Sequence, residues 1–223
     1  MKLVELFDYS LAPFGEGKGI RECRFDLSLG EVCFIRAVLP DDAKLFLRAL
    51  ATLEKPLSGS YRFRGEALDF SDYRHLLPFK RKIAYVASDA ALISNRSLLD
   101  NLRFVRAFFD NEMDSELPDD LMELFRQFQM EEKLHLRPGQ VELEFVRLTI
   151  ILRELSKKPE MLLLERPRDF LSPRNFDLFV GMLKDMIKDG VPVVCLASDE
   201  AFIGEFAGKE VRITEGSVET AAS

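Results

Sequence analysis

The sequence predicts an α/β domain in which a mostly parallel sheet carries an antiparallel β edge layer and an inserted helical lobe. Three observations lead there. Short continuous apolar runs, VCFIRAV (32–38), IAYVA (83–87), MLLLE (161–165) and VPVVCLAS (191–198), alternate with helical patterns, as strands buried on both faces do. Residues 2–9 and 21–29 instead alternate apolar and polar, the mark of half-buried strands. Residues 95–135 are rich in Leu and Phe, poor in β-branched residues and free of any strand signal.

Taken in order, Gly30-Glu31 is a turn between the second alternating strand and the first apolar one. From Asp41 to Leu53 the residues Leu45, Phe46, Leu47, Ala49, Leu50 and Leu53 recur at helical spacing, with Pro40 ahead and Asp41 and Asp42 as first-turn acids. KPLSGSYRFRGEAL (55–68) reads as a turn and a short strand. Pro118 opens a helix within the helical stretch, and further helices are expected from about Glu142 to Lys157 and from Pro173 to Lys188. A short helix and a hairpin around Glu215-Gly216 close the chain, with a frayed tail of four or five residues.

The 223 residues, 47% of them hydrophobic, suffice for one large domain, taken as residues 1–223 with the lobe at about 89–158. A formal net charge of −7 argues against a nucleic-acid partner, which calls for a basic face. Cys23, Cys33 and Cys195 lie far apart, and with only His75 and His135 besides they make no metal-ligand pattern. Cys33 and Cys195 read as small core residues and His135 as a surface residue. The N-terminus has no signal-peptide pattern, and no apolar run approaches the roughly 20 residues of a membrane-spanning helix. The expectation is a cytoplasmic protein without direct membrane insertion.

Five segments in series resemble the ATPase domain of ABC transporters. GEVCFIRAVLPDDAKLFLRALATLEKPLSGSYRFRGEAL (30–68) is similar to that family's first third, and IAYVASDAALISNRSLLDNLRF (83–104) to its Q-loop and the lead into its helical lobe. PEMLLLERPRDFLSP (159–173) resembles the Walker B strand and D-loop, VPVVCLASDE (191–200) the strand before the switch histidine, and VRITEGSV (211–218) the closing hairpin. The resemblance implies a P-loop NTPase-like sheet with an inserted helical lobe, the ABC ATPase fold.

Residue by residue it implies something else about activity. The phosphate loop falls on Ala37 to Leu45, with Ala43 at the lysine position and Lys44 at the magnesium-binding hydroxyl position. That loop has no glycine, and Pro40 removes a backbone donor. Asp41 and Asp42 are expected to face the phosphates, at about 4 kcal/mol for each carboxylate–phosphate pair at 4 Å and an effective dielectric near 20. The Q-loop glutamine position is Ser88, and the signature falls on Val141-Glu142-Leu143-Glu144-Phe145, with LRPGQ (136–140) as the loop before it. Glu142 and Glu144 are expected to meet the phosphates of a partner's nucleotide. Glu165 stands at the Walker B aspartate and could still hold a magnesium water. Arg166 stands at the general-base glutamate, which an arginine cannot replace, and Ser198 at the switch histidine.

The expectation is therefore a pseudo-ATPase: not an enzyme, without catalytic residues, cofactor or metal. It would dock by its lobe to a membrane permease through Ser88, Asp89, Ala90, Leu92, Leu99 and Asn101, and pair with another ABC ATPase subunit or with itself, peripherally at the inner face of the membrane. LRPGQ also resembles the ATPases of MCE-type lipid transporters, which implies a lipid cargo. The alternatives are a cytosolic adaptor that uses the fold without transport, residual non-standard nucleotide binding, and an enzyme with a relocated site at Lys44, Glu165 and Arg166.

Overall fold

The computed structural model describes residues 1–110, 117–196 and 199–221. Two sheets organise them. Strands β1 (Lys2–Leu11) and β2 (Ile20–Ser28) form an antiparallel hairpin that continues through β4 (Ser58–Phe63) to β5 (Glu66–Ala67), in the order β2-β1-β4-β5. The larger sheet contains β3 (Val32–Ala37), β6 (Ile83–Val86), β7 (Met161–Leu164), β8 (Val193–Leu196), β9 (Lys209–Thr214) and β10 (Ser217–Ala221), in the order β10-β9-β3-β8-β7-β6. All its pairings are parallel except the β9–β10 hairpin, so the expected mostly parallel sheet with an antiparallel layer is the observed architecture.

Side-chain alternation along these strands builds two cores. Cys33, Ile35, Ile83, Met161, Leu163 and Val194 face one side, where helix α1 (Pro40–Leu50) and the antiparallel layer pack. Val32, Phe34, Ala84, Val86, Leu162, Leu164, Val193 and Cys195 face the other, beneath the helices that follow β6 in the chain. The residues between these two sets are one apart, so a register slip in any strand would exchange the cores. Cys23, Cys33 and Cys195 are buried free thiols, and burial pushes those of Cys23 and Cys33 up to about 12.

Helix α1 ends at Leu50, earlier than the apolar spacing to Leu53 predicts. The chain leaves the helix at Thr52, whose φ is 58°, while the Thr52 N–H donates to the Ala49 carbonyl (2.9 Å) and the Leu53 N–H to that of Arg48 (2.9 Å). This is a Schellman closure with threonine in the left-handed position usually given to glycine. Leu53 is consequently turned half out to solvent. Leu45, Phe46, Leu47 and Leu50 remain buried, each worth roughly 1.5–3 kcal/mol.

A helix that no periodicity announces, α2 (Tyr73–Lys82), follows β5, starting where the Asp72 carboxylate accepts from the Arg74 N–H. It buries only Leu76 and Phe79 and contains Pro78, which masks it in the sequence. Helices α3 (Leu98–Asp110), α4 (Asp119–Gln127) and α5 (Leu143–Leu155) supply the helical region, with short 3-10 turns at Glu131–Lys133 and Pro138–Gln140. Helix α6 (Pro173–Lys188) and the short α7 (Glu200–Ile203) complete the set. No described helix is long and apolar enough to cross a membrane.

Candidate functional site

The carboxyl ends of β3, β7 and β8 open onto a cleft of about 400 Å³, lined by Ile35, Arg36, Ala37, Pro40, Ala43, Arg166 and Leu196. Crevices of this kind are where open α/β sheets bind ligands. The link from β3 to α1 is only Val38-Leu39, and Pro40 begins the helix without a side-chain cap. The Val38 N–H is directed to the Ile213 carbonyl on β9 (3.2 Å), so this amide faces the sheet.

Asp41 and Asp42 turn away from this cleft, contrary to the expectation that they face phosphate. The Asp41 Oδ2 accepts from the Glu16 N–H (2.8 Å), and the Asp42 Oδ1, in a residue 2% exposed, accepts from the Gly19 N–H (3.0 Å). The loop between β1 and β2 thus wraps both carboxylates. It comes so close that a Cβ on Gly15 or Gly17 would lie 2.2 or 2.4 Å from a carboxylate oxygen.

Arg166 adopts φ 46°, and its well-exposed side chain opens onto the cleft with Asp169 3.7 Å away. Arg36 is held by Glu200 (2.7 Å) and Glu210 (2.9 Å). Lys44 does not enter the cleft: its ammonium donates to the Asp89 Oδ2 at 2.6 Å, and that hydrogen bond holds the Asp89 carboxyl below its usual range.

Glu165, 1% exposed at the end of β7, is engaged through both carboxylate oxygens. Its Oε1 accepts from the Tyr85 hydroxyl, and its Oε2 from the Ser88 N–H (3.0 Å) and Ser88 Oγ (2.6 Å). Burial first, and then the bond to Glu165, raises the Tyr85 phenol well above its ordinary pKa, so it stays a donor. The two groups assigned to magnesium by the resemblance are therefore tied to protein partners, Glu165 to Tyr85 and Ser88, and Lys44 to Asp89. So engaged, they do not fit a magnesium ion, and the capacity of Glu165 to hold a magnesium water is taken up by Tyr85 and Ser88.

Arg147, which no sequence pattern singles out, is the residue that joins these parts. Buried on α5, its Nη1 donates to the Ala87 carbonyl (2.8 Å) and its Nη2 to the carbonyls of Glu165 (2.6 Å) and Arg166 (3.2 Å). Its only advance signal is an arginine set among the apolar residues of a helix, Val146, Leu148, Ile150 and Ile151.

At the signature positions, Glu144 is turned inward rather than toward a partner. Its Oε1 accepts from the Ser172 N–H (2.6 Å) and Asn175 Nδ2 (2.9 Å) at the start of α6. Partial burial raises its pKa, but these bonds outweigh it and leave the carboxyl lowered. Glu142 reaches Lys133 (3.4 Å) at the surface, and Leu143 is exposed. Ser198 lies outside the described residues.

The residues expected to dock a partner are placed unequally. Ser88 belongs to the Glu165 cluster, and Asp89 is exposed but paired. Ala90, Leu92 and Leu99 are half-buried against the second core. Asn101, 2% exposed, stands behind the surface: its Oδ1 accepts from the Ile93 N–H (2.7 Å), and its Nδ2 donates to the carbonyls of Ile93 (3.2 Å) and Ser97 (2.9 Å). Ser97 and Asp100 cap α3 reciprocally, Ser97 Oγ accepting from the Asp100 N–H and Asp100 from the Ser97 N–H. The loop so built presents Ile93, 48% exposed and absent from the expected set.

A parallel sheet with an antiparallel layer and a helical lobe beside a cleft at its strand ends is the fold of an ABC-type ATPase cassette. An ATP-binding cassette solved as a dimer in a post-hydrolysis state with ADP and Pi matches it with a TM-score of 0.83 at 18% identity, over 99% of this chain and 98% of that one. By sequence the chain is similar to the L-cystine import ATP-binding protein TcyC of Bacillus subtilis (strain 168), 24% identical over 206 residues, 91% of this chain and 83% of that protein. A probable amino-acid ABC transporter ATP-binding protein of Haemophilus influenzae is also 24% identical, over 87% of this chain and 77% of its own length. No protein-family model matches the chain. Relatives and structural neighbours together support the family of ABC transporter ATP-binding subunits.

These comparisons correct the expectation that the chain is not an enzyme. The relatives are named ATP-binding proteins and the structural neighbour was captured with ADP and Pi, which points to an ATPase. The electrostatic argument for the opposite view also loses its footing, because Asp41 and Asp42 direct their carboxylates to the β1–β2 loop and the charged residues lining the cleft are Arg36 and Arg166.

Proposed function

We propose that the chain is the cassette subunit of an ABC-type membrane transporter, one domain whose lobe, at about 89–158, docks on the cytoplasmic side of a permease. It pairs there with another cassette or a second copy of itself. The observation that carries this is the loop of residues 88–97, braced at Ile93 and Ser97 by Asn101 from behind and offering Ile93 outward beside Ala90, Leu92 and Leu99. An apolar anchor on a rigid loop costs little ordering on binding. ATP enters as the ligand for which the relatives are named. In this chain the guanidinium of Arg166 stands in the cleft where position 43 offers only an alanine methyl.

Cysteine cross-linking tests the docking. With Ile93→Cys, the chain co-expressed with its candidate permease should cross-link to cysteines placed along a cytoplasmic permease helix, while Tyr73→Cys, exposed on α2, should not. Equal yields from both positions would remove the reading. The lipid cargo rests on LRPGQ alone, whose Pro138–Gln140 form a short turn ahead of α5; the permease, rather than the cassette, is the place to test it.

A second reading, an adaptor that binds another protein, draws on a separate observation. Helices α4 and α6 flank an open groove of about 800 Å³ lined by Leu124, Leu178, Met182 and Met186, with Asp177 and Asp185 beside them. Methionine-rich grooves accept varied apolar side chains. If the chain works this way, Gly181→Trp in that groove abolishes partner binding and Ile93→Asp leaves it intact.

A further inference from the structure

We propose that Glu165 is a positioning residue that locks the helical lobe to the sheet, using the carboxylate that would otherwise gather a cation. The lock matters to function through the docking reading above, but its geometry stands apart from it.

Three consecutive residues lead from β6 into the lobe, and each is gripped by a different element. Arg147 of α5 holds the Ala87 carbonyl at 2.8 Å. Glu165, just past β7, holds both the N–H (3.0 Å) and the hydroxyl (2.6 Å) of Ser88. Lys44 of α1 holds the Asp89 carboxylate at 2.6 Å. The middle grip comes from the most deeply buried of the three side chains, Glu165 at 1% exposure against 5% for Arg147. A carboxylate withdrawn from water needs several donors to replace its hydration, and Tyr85 and Ser88 supply them. Arg147 fixes the other end of the same residue by taking the Glu165 carbonyl at 2.6 Å. Glu165 is thus held by its backbone to the lobe helix and by its side chain to the first residue of the docking segment. The consequence is a docking loop whose orientation is set by the chain's own carboxylate. A cation seated on Glu165 would compete with Ser88 for Oε2 and with Tyr85 for Oε1.

Amide hydrogen exchange on the full chain tests this. Glu165→Ala removes three bonds to the carboxylate and should speed exchange across residues 87–98 by at least about tenfold, the scale of a single charge-assisted bond, with amides of β3 and β8 unchanged. Should that variant fail to fold, Ser88→Ala and Tyr85→Phe each remove one donor and should raise exchange in the same segment by a smaller factor. Uniform loosening of the whole chain, or no change in 87–98, would overturn the lock. Manganese is the second probe. Millimolar Mn2+ should leave exchange in 87–98 of the unaltered chain as it was. Paramagnetic broadening there that vanishes in Glu165→Gln would show the carboxylate to be a metal ligand and refute the proposal. Cross-linking through Ile93→Cys reports docking separately, so a failed lock and a failed docking reading leave different records.

Discussion

The connections after β3 and after β6 leave the carboxyl ends of strands in one sheet, and they are stabilised in opposite ways. After β3 two residues suffice to reach α1, and the acids that follow pin another segment, the β1–β2 loop, onto the helix start. After β6 the chain travels from Ala87 to Ser97 before α3, and it is the connection itself that is pinned, by Arg147, Glu165, Lys44 and Asn101. A short link is fixed by its covalent reach, so the charged groups that follow it are free to hold something else. A long one has conformational freedom to lose and must be gripped along its length. The long connection is therefore made rigid by side chains, and the short one by backbone.

That contrast can be broken first at Arg147. Arg147→Met leaves three carbonyls without their donor and should cost about 3–5 kcal/mol in urea unfolding, and no effect would deny the long connection its main grip. Asn101→Leu, close in size but unable to bond, should cost about 2–3 kcal/mol and speed exchange at Ile93 more than at any amide of α1. Asp42→Ala should cost about 1–2 kcal/mol and expose residues 15–19 to proteolysis while leaving 87–98 untouched.

The smallest effect belongs to Lys44 and Asp89. The lysine's hydrogen bond lowers the Asp89 pKa, so the stability it adds is present above the usual aspartate value of about 3.9 and is lost as pH falls through the lower folded value. Because Asp89 is largely exposed, the gain is below about 1 kcal/mol, and Lys44→Met should flatten only the acid limb of a stability–pH curve.

Much of the fold was legible because its signals are local. The four apolar runs became β3, β6, β7 and β8, and the helix expected from Pro173 to Lys188 has those bounds. The end of α1 was not legible, since Thr52 in a left-handed conformation is a poor advertisement for a helix stop. The side-chain directions in the candidate site were hidden for another reason. Asp42 finds its donor 23 residues away and Glu165 finds Ser88 77 residues away, so acids that read locally as facing a ligand are turned by partners that no local pattern names. Arg147 was hidden likewise, its carbonyl partners being contributed by two separate strand ends.

The fit of Gly15 and Gly17 against Asp41 and Asp42 leaves a historical constraint as well as a structural one. Putting glycine at 42 would strand the Gly19 N–H, and enlarging residue 15 or 17 would collide with the carboxylates while they remain. The two segments can change together far more easily than in turn. Substitutions there should therefore show strong epistasis, with paired replacements tolerated where either alone is not.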